Sequence, residues 1–492
     1  MKNSLIFNTI LKNTIRFSIL RVAIVFIKIL LNKTIAVYLG VGGLGLYGIF
    51  QTILNLIQSV FSLGISKALV REIPAVNDKS NIITKEAVIS SAVIIICILS
   101  ILSMLFTLIF SESISIYFFG DDKYSFYIKL ISIGIFFTIL SEGQLAILNG
   151  LRKLNYLLKA NLYGVFLGCF LGIISIITFG EIALVLTLIT VPASIFFISI
   201  YFLKNSINYR INLNIFSLIK SSKNTIITGI SLVYISFWIY LTDYILKFYI
   251  LQNSDLEMVG LFQAGCTIIV SYFGIISSSM ATDYFPRIST NHKNNTVLND
   301  YLNKQAVVGL VIMGPLLILI TLISDFAITL LFNNSFIESK FYIQNASFGV
   351  LLIAVSNPLT MILIAKQERK TYVLIVTICR IIGIAISLFS FSKFGLHGLG
   401  ASYIFFTLPE LILSQMYLKR KYNIYANSVS LKILLCYFIL LLITVISLNY
   451  FNSNHFTINF FIFIISVVLS YLVGKHIMKI NFKEIINLKN NE

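Results

Sequence analysis

Fourteen mostly apolar stretches, each about twenty residues long, follow one another from Phe17 almost to the C-terminus. About twenty such residues, wound as a helix, cross a ~30 Å hydrocarbon core. Inside lipid the backbone has no water to bond, so such stretches fold as helices rather than as open sheet. The spans read 17–39, 46–68, 87–110, 126–149, 160–179, 182–203, 225–249, 259–282, 305–324, 343–365, 371–391, 398–418, 431–449 and 458–478. Only Gly180 and Glu181 divide the fifth from the sixth. The expected fold is an all-α polytopic membrane protein with about 14 transmembrane helices.

Charge places the loops. Only 11% of the 492 residues are charged, against about 25% in soluble domains. A net charge of +18 would suggest nucleic acid in a soluble protein. Here the cations are sorted by side, so no nucleic-acid partner is expected. With the N-terminus inside, 28 of the 37 Lys and Arg fall in inner loops and tails, while Lys123, Lys247, Lys340 and Lys393 lie toward the outer side. One missed or extra span would scramble this alternation, so the positive-inside rule supports both the count and cytoplasmic N- and C-termini. The N-terminus reads as a span and not as a cleaved leader, because Lys28 interrupts its apolar run. Cys97, Cys169, Cys266, Cys379 and Cys436 all sit in apolar runs, as small buried hydrophobes and not a disulfide framework.

The longest outer loops, near Ser111–Ser125 and Asp325–Tyr342, hold fifteen or so residues, leaving little room for chemistry outside the membrane. Gly48-Ile49-Phe50-Gln51 opens the second span and Gly260-Leu261-Phe262-Gln263 the eighth. An even offset of six spans gives two lobes of the same topology, related by an axis along the membrane normal. The expected division is a six-helix lobe over 1–203, a second over 204–420, and two C-terminal helices with a cytoplasmic tail over 421–492.

Polar residues within the spans carry the functional signal. Arg21, Lys28 and Lys33 interrupt the first span, and a cation near the bilayer midplane costs about 2.5–3.5 kcal/mol on insertion scales. At 100° per residue Arg21 and Lys28 fall nearly on one line, with Asn32 about 40° and Lys33 about 140° round from Lys28. Arg21 is close enough to one end to snorkel. Lys28 and Lys33 are deeper, and a water-filled cavity is the expected neighbour. Gln51, Asn55, Gln58 and Ser62 form one stripe in span two, and Gln263, Thr267, Ser271 and Ser278 another in span eight. Interhelical hydrogen bonding and cavity lining are both open for them. Asp243 and Lys247, four apart, can pair on span seven. Glu142 and Glu410 lack a sequence-local cation, although Arg380 can answer one of them across helices. Such carboxylates suit H+ or Na+ coupling when unpaired and are structural when paired. Pro192, Pro315, Pro358 and Pro409 lie within spans, where each loosens or bends its helix, and the glycines from Gly40 to Gly48 permit a tight turn or hinge. No phosphate-binding loop, nucleophile elbow or metal-ligand spacing occurs. No enzyme activity, metal or cofactor is expected.

Three motifs carry a resemblance. The first span, with Lys33, runs into Leu39-Gly40-Val41-Gly42-Gly43-Leu44-Gly45. Val259-Gly260-Leu261-Phe262-Gln263 opens span eight, and Tyr284-Phe285-Pro286-Arg287-Ile288-Ser289 closes it. Over about its first 420 residues the chain resembles the polysaccharide-export flippases of the multidrug/oligosaccharidyl-lipid/polysaccharide (MOP) exporter superfamily, with Wzx-type O-antigen or repeat-unit translocases the nearest likeness. The resemblance implies that undecaprenyl-pyrophosphate-linked oligosaccharide is carried from the inner to the outer leaflet of a bacterial inner membrane. It also implies alternating access of two lobes around a central cationic cavity. Arg21, Lys28, Lys33, Arg287 and Arg380 are the expected substrate-binding cations, since Arg and Lys suit phosphate. Gln51, Asn55, Gln58, Gln263, Thr267 and Ser271 are the expected lining. Glu142, Asp243 and Glu410 are the candidates for ion coupling. Implied partners are membrane lipids, a polysaccharide polymerase and a chain-length regulator. Two other readings stand beside this one. A cation-coupled multidrug antiporter of the same superfamily favours acidic cavity residues, where this first span is cationic. A membrane polysaccharide polymerase or ligase needs a substantial external loop.

Overall fold

The computed structural model describes residues 2–66, 69–70, 73, 82–204, 215–450 and 455–476. Side chains are described from Val22 onward, except at 82–88, 215–232, 235, 282–283, 450, 455–458 and 476 within those ranges. The described chain is helical, with no strand. Its helices are α1 (Lys2–Phe61), α2 (Ile82–Ile109), α3 (Ser111–Phe119), α4 (Ser125–Gly150), α5 (Leu154–Phe179), α6 (Ala183–Lys204), α7 (Ile215–Asn253) and α8 (Leu256–Cys266). They continue as α9 (Phe273–Thr290), α10 (Asn295–Leu322), α11 (Ser324–Leu331), α12 (Ser339–Ala365), α13 (Arg369–Ser402), α14 (Ile404–Tyr422), α15 (Ser428–Tyr450) and α16 (His455–His476).

Among the described residues each of the fourteen expected spans falls largely on helix, and the protein is a multi-pass membrane protein. Among the described residues, nine helical segments are long and apolar enough to cross a membrane. Two of them, Val22–Phe61 and Leu154–Lys204, run for 40 and 51 residues and each hold two crossings. The first is divided by Gly40, at φ 68° and ψ −163°. The second is divided by Gly180, at φ 63°, which opens the 3₁₀ turn Gly180–Ile182. Gly395, at φ 55°, divides α13 between the eleventh and twelfth spans, and the twelfth is completed by α14. Positive φ is cheapest without a β-carbon, and glycine marks these three breaks. The prolines behave otherwise. Pro192, Pro286, Pro315, Pro358 and Pro409 all lie inside helices that run on through them.

The two stretches expected to be the longest outer loops contain short helices. Ser111–Phe119 forms α3, and Ser324–Leu331 forms α11, followed by a 3₁₀ turn at Asn334–Phe336. Each short helix stands between the third and fourth spans of its set of six. Gly180 and Gly395 stand likewise between the fifth and sixth. The six-span offset therefore recurs in backbone features that share no sequence. Around α3, Phe118 and Phe248 join Tyr117 and Tyr244 in ring contacts centred 4.6–6.4 Å apart, as expected of an aromatic belt at a membrane interface.

By contact the chain forms two compact units, residues 1–260 with 331–333, and residues 261–330 with 334–492. In the first, α5 presents Gly164, Gly168 and Gly172 to α6. A β-carbon at Gly164 would lie 2.6 Å from Ile195 Cα, and one at Gly172 would lie 2.9 Å from Thr187 Cγ2. Lipid supplies no hydrophobic drive between helices, so small residues at every fourth position let the two backbones meet closely. In the second unit α12 is the hub, buried along most of its length, with α10, α13, α14 and α15 against it. The last two helices belong to this unit. Buried Tyr437 of α15 packs on Gly314 of α10 and shares a hydrogen bond with Ser470 of α16. Ser470 in turn donates to the Val311 carbonyl of α10, at 3.1 Å.

Candidate functional site

The first span remains the most informative element. Arg21 is helical, but its side chain lies outside the described residues. Lys28 is exposed and Lys33 half-buried. Leu31 and Ile35 are 3% and 0% exposed. Ile35 follows Lys28 by seven residues and falls nearly on its line along the helix. Lys28 thus lies two turns before the packed Ile35, on a stretch where Val22, Phe26 and Leu30 are exposed as well. Its ammonium is near enough to the Cys169 thiol of α5 to act on it electrostatically.

In span two, Gln51 and Asn55 are half-buried and Gln58 is 7% exposed. The corresponding stripe of span eight is broken. Residues Thr267–Tyr272 form a π-helical turn, which takes up an extra residue and shifts the next turn off the α-helical line. Gln263 is half-buried, Thr267 is buried with its hydroxyl on the Gln263 carbonyl at 2.8 Å, and Ser271 is exposed. Single π turns are frequent at functional sites.

Asp243 and Lys247 of α7 pair at 2.8 Å, as their spacing implied. The surroundings add what the spacing did not. The Lys247 ammonium, 4% exposed, also donates to Thr52 Oγ1 at 2.8 Å and to the Gly48 carbonyl at 3.1 Å, both on α1. Thr52 Oγ1 lies 2.6 Å from Asp243 Oδ2. All three ammonium protons thus have acceptors, which offsets the cost of burying the charge and braces α7 on α1. Thr52 escaped the sequence reading because it is one residue, and so 100°, away from the Gln51 stripe.

The other ionisable residues are less enclosed. Glu142 is exposed on α4, within electrostatic reach of Tyr240 on α7. Arg287 is exposed in the last turn of α9. Arg380 and Glu410 come together between α13 and α14, both half-buried, and Arg380 acts on Glu410 electrostatically. They form no ion pair within 4.0 Å. The guanidinium instead lies 5.5 Å from the centroid of the Phe406 ring. Among the described residues no group of three or more His, Cys, Asp or Glu could hold a metal ion.

A charged cluster outside the spans closes one end of the second unit. Gln367, at φ 62°, turns the chain so that Glu368 meets the last turn of α14. There it accepts from Lys421 Nζ at 2.6 Å, from the Tyr417 hydroxyl at 2.7 Å, and from the Tyr422 hydroxyl. These bonds, Lys421 foremost, hold the Glu368 carboxyl down from its usual 4.5 to about 2. A carboxyl with a depressed folded pKa favours the folded state above its unfolded pKa, and this contribution is lost as pH falls through the folded value. The wild-type protein should therefore lose thermal stability on acidification from about 4.5 toward 2, and Glu368→Gln should lose less over that window. Unfolding midpoints measured in detergent across that range check the difference.

Residues 35–341 match the family described as Polysaccharide biosynthesis protein, and residues 266–471 match the family described as Lipid II flippase MurJ. No curated protein sequence matches the chain. Among solved structures, the lipid II flippase MurJ in an inward closed conformation superposes with a TM-score of 0.74 at 18% identity, covering 95% of this chain and 100% of that one. The MATE multidrug transporter DinF-BH gives 0.65 at 15% identity, covering 84% and 96%. A MOP superfamily transporter from Pyrococcus furiosus, reported with a binding pocket of reversed polarity, gives 0.60 at 16% identity, covering 82% and 93%.

Proposed function

Because the chain belongs to the polysaccharide biosynthesis protein family and has the fold of MOP superfamily transporters, we propose that it is a lipid-linked oligosaccharide flippase. Its substrate is undecaprenyl-pyrophosphate-linked repeat units of a surface polysaccharide such as O-antigen. It moves them from the cytoplasmic to the outer leaflet of a bacterial inner membrane, making and breaking no bond. The observation that carries this reading is Lys28, a cation midway along the first span whose side chain is exposed and not packed against the protein. A pyrophosphate headgroup is anionic and strongly hydrated, and its passage through hydrocarbon needs charge placed inside the membrane. Lys28 and Lys33 supply point charges, and Arg21, Arg287 and Arg380 bidentate contacts. Gln51, Asn55, Gln58, Gln263, Thr267 and Ser271 offer amides and hydroxyls to the sugar, while the polyprenyl tail stays in lipid.

Coupling to H+ or Na+ falls to Glu410 or Glu142 before Asp243, whose carboxylate is already engaged by Lys247 and Thr52. The same engagement weighs against a multidrug antiporter built on that carboxylate. A polymerase and a chain-length regulator would receive the flipped unit.

Deletion of the gene tests the reading. It should abolish surface glycan and leave lipid-linked repeat units accumulating on the cytoplasmic side. Export of single unpolymerised units would point to a polymerase instead.

A further inference from the structure

Two loops at one end of the second unit are strongly cationic. Residues 366–370 and 419–421 hold six cations, Lys366, Arg369, Lys370, Lys419, Arg420 and Lys421, against one carboxylate, Glu368. That carboxylate is engaged within the protein, by Lys421 at 2.6 Å and by the Tyr417 and Tyr422 hydroxyls. It ties the start of α13 to the end of α14, so the two loops keep a fixed spacing. Lys370 and Arg420 are exposed, and among the described residues neither has an ion-pair partner. The positive-inside rule expects cations at this end, but it does not require two loops to be fastened together with their charge unanswered.

The register between the two helices brings these cations to one depth. Glu368 meets Lys421, and a β-carbon at Gly383 would lie 2.2 Å from the Phe406 ring. The Ser387 and Ser402 hydroxyls share a hydrogen bond at 2.7 Å. Each step forward from Glu368 is thus matched by an equal step back from Lys421, and Lys370 stands level with Arg420. At 100° per residue Lys370 lies on the face opposite Cys379, and Arg420 on the face opposite Leu411, both of which are buried. Leu374 and Ile381 of α13 and Met416 of α14 fall within about 40° of those two cations, and they are 57%, 54% and 45% exposed. The helices pack chiefly on α12 and on each other, which leaves this face to lipid.

A pair of unanswered cations above an open apolar face suits a molecule with an anionic head and a hydrocarbon body. We propose that Lys370 and Arg420 hold the phosphate of an anionic phospholipid, whose acyl chains lie over Leu374, Ile381 and Met416. A free phosphate would make no use of the apolar residues, and a zwitterionic lipid would leave the charge of the two loops unbalanced. The inference does not depend on what the protein transports, because the lipid is a constituent of the membrane around it.

The test is native mass spectrometry of the purified full-length protein, titrated with phosphatidylglycerol or with phosphatidylcholine of the same acyl chains. The wild type should bind phosphatidylglycerol more tightly. Each cation near an anionic lipid is worth about fivefold in affinity, so Lys370→Gln/Arg420→Gln should weaken phosphatidylglycerol binding about 25-fold and leave phosphatidylcholine binding unchanged. Lys153→Gln/Lys159→Gln, which removes two exposed cations from the first unit, should change neither. Undecaprenyl pyrophosphate at equal concentration should not displace phosphatidylglycerol. The site is overturned if the wild type binds the two phospholipids equally, or if Lys370→Gln/Arg420→Gln binds phosphatidylglycerol as the wild type does. It is also overturned if the first-unit variant loses as much, so that charge acts only in bulk, or if undecaprenyl pyrophosphate takes the place of phosphatidylglycerol.

Discussion

Replacing Lys28 and Lys33 together by alanine should cut export of surface polysaccharide about 100-fold while the protein stays at wild-type abundance in the membrane. A hydrogen bond to a charged group contributes about 1.5–3 kcal/mol. Loss of two such contacts to a pyrophosphate, at the lower figure, comes to roughly two orders of magnitude. Lys28 is exposed, so Lys28→Ala alone should leave stability near that of the wild type. Lys28→Arg, which keeps the charge, should retain much of the export that Lys28→Ala loses. Quantitative glycan staining beside immunoblots of membrane fractions reads both quantities. Full export by the double variant would remove the first span from the substrate path.

The second large effect is on stability. Lys247→Met leaves the Asp243 carboxylate without its cation, and removing one member of a buried pair costs about 3–5 kcal/mol. Asp243 keeps a side-chain exposure of 33%, which places the expectation near the lower end, at about 3 kcal/mol. The double variant Asp243→Leu/Lys247→Met should recover most of the loss, since two apolar groups of similar volume leave no stranded charge. Unfolding midpoints of the purified variants decide this. Equal stability of Lys247→Met and wild type would mean that the contact with Gly48 and Thr52 is not what holds α7 to α1.

These two residues also show what a sequence can and cannot reveal. The span count, the Asp243–Lys247 pair and the anomalous cations of span one follow from hydropathy and helical spacing, which are local. So does the break at Gly180, where only two residues divide two spans. Lys247's partners on α1 are almost two hundred positions away, and nothing in the local pattern selects Thr52 over its neighbours. The π turn at Thr267–Tyr272 was equally hidden, because an α-helical wheel keeps Ser271 in line with Gln263 by assumption. The helices α3 and α11 occupy stretches read as loops because they are too short to show a period. Lys370 and Arg420 stand level only through the register of α13 against α14, so each looks ordinary alone. Long-range assembly, not composition, decides such sites.

A flippase of this kind carries a lipid-linked pyrophosphate sugar between leaflets, and reconstitution reads that movement directly. The most direct measurement places the purified protein in liposomes whose undecaprenyl-pyrophosphate-linked oligosaccharide carries a fluorescent sugar, and follows quenching by a membrane-impermeant reductant added outside. Wild-type protein should expose the inner-leaflet pool to the quencher far faster than protein-free liposomes do, and Lys28→Ala/Lys33→Ala should fall back toward the protein-free rate. A wild-type rate equal to that of empty liposomes, across imposed proton and sodium gradients, would contradict the proposed function.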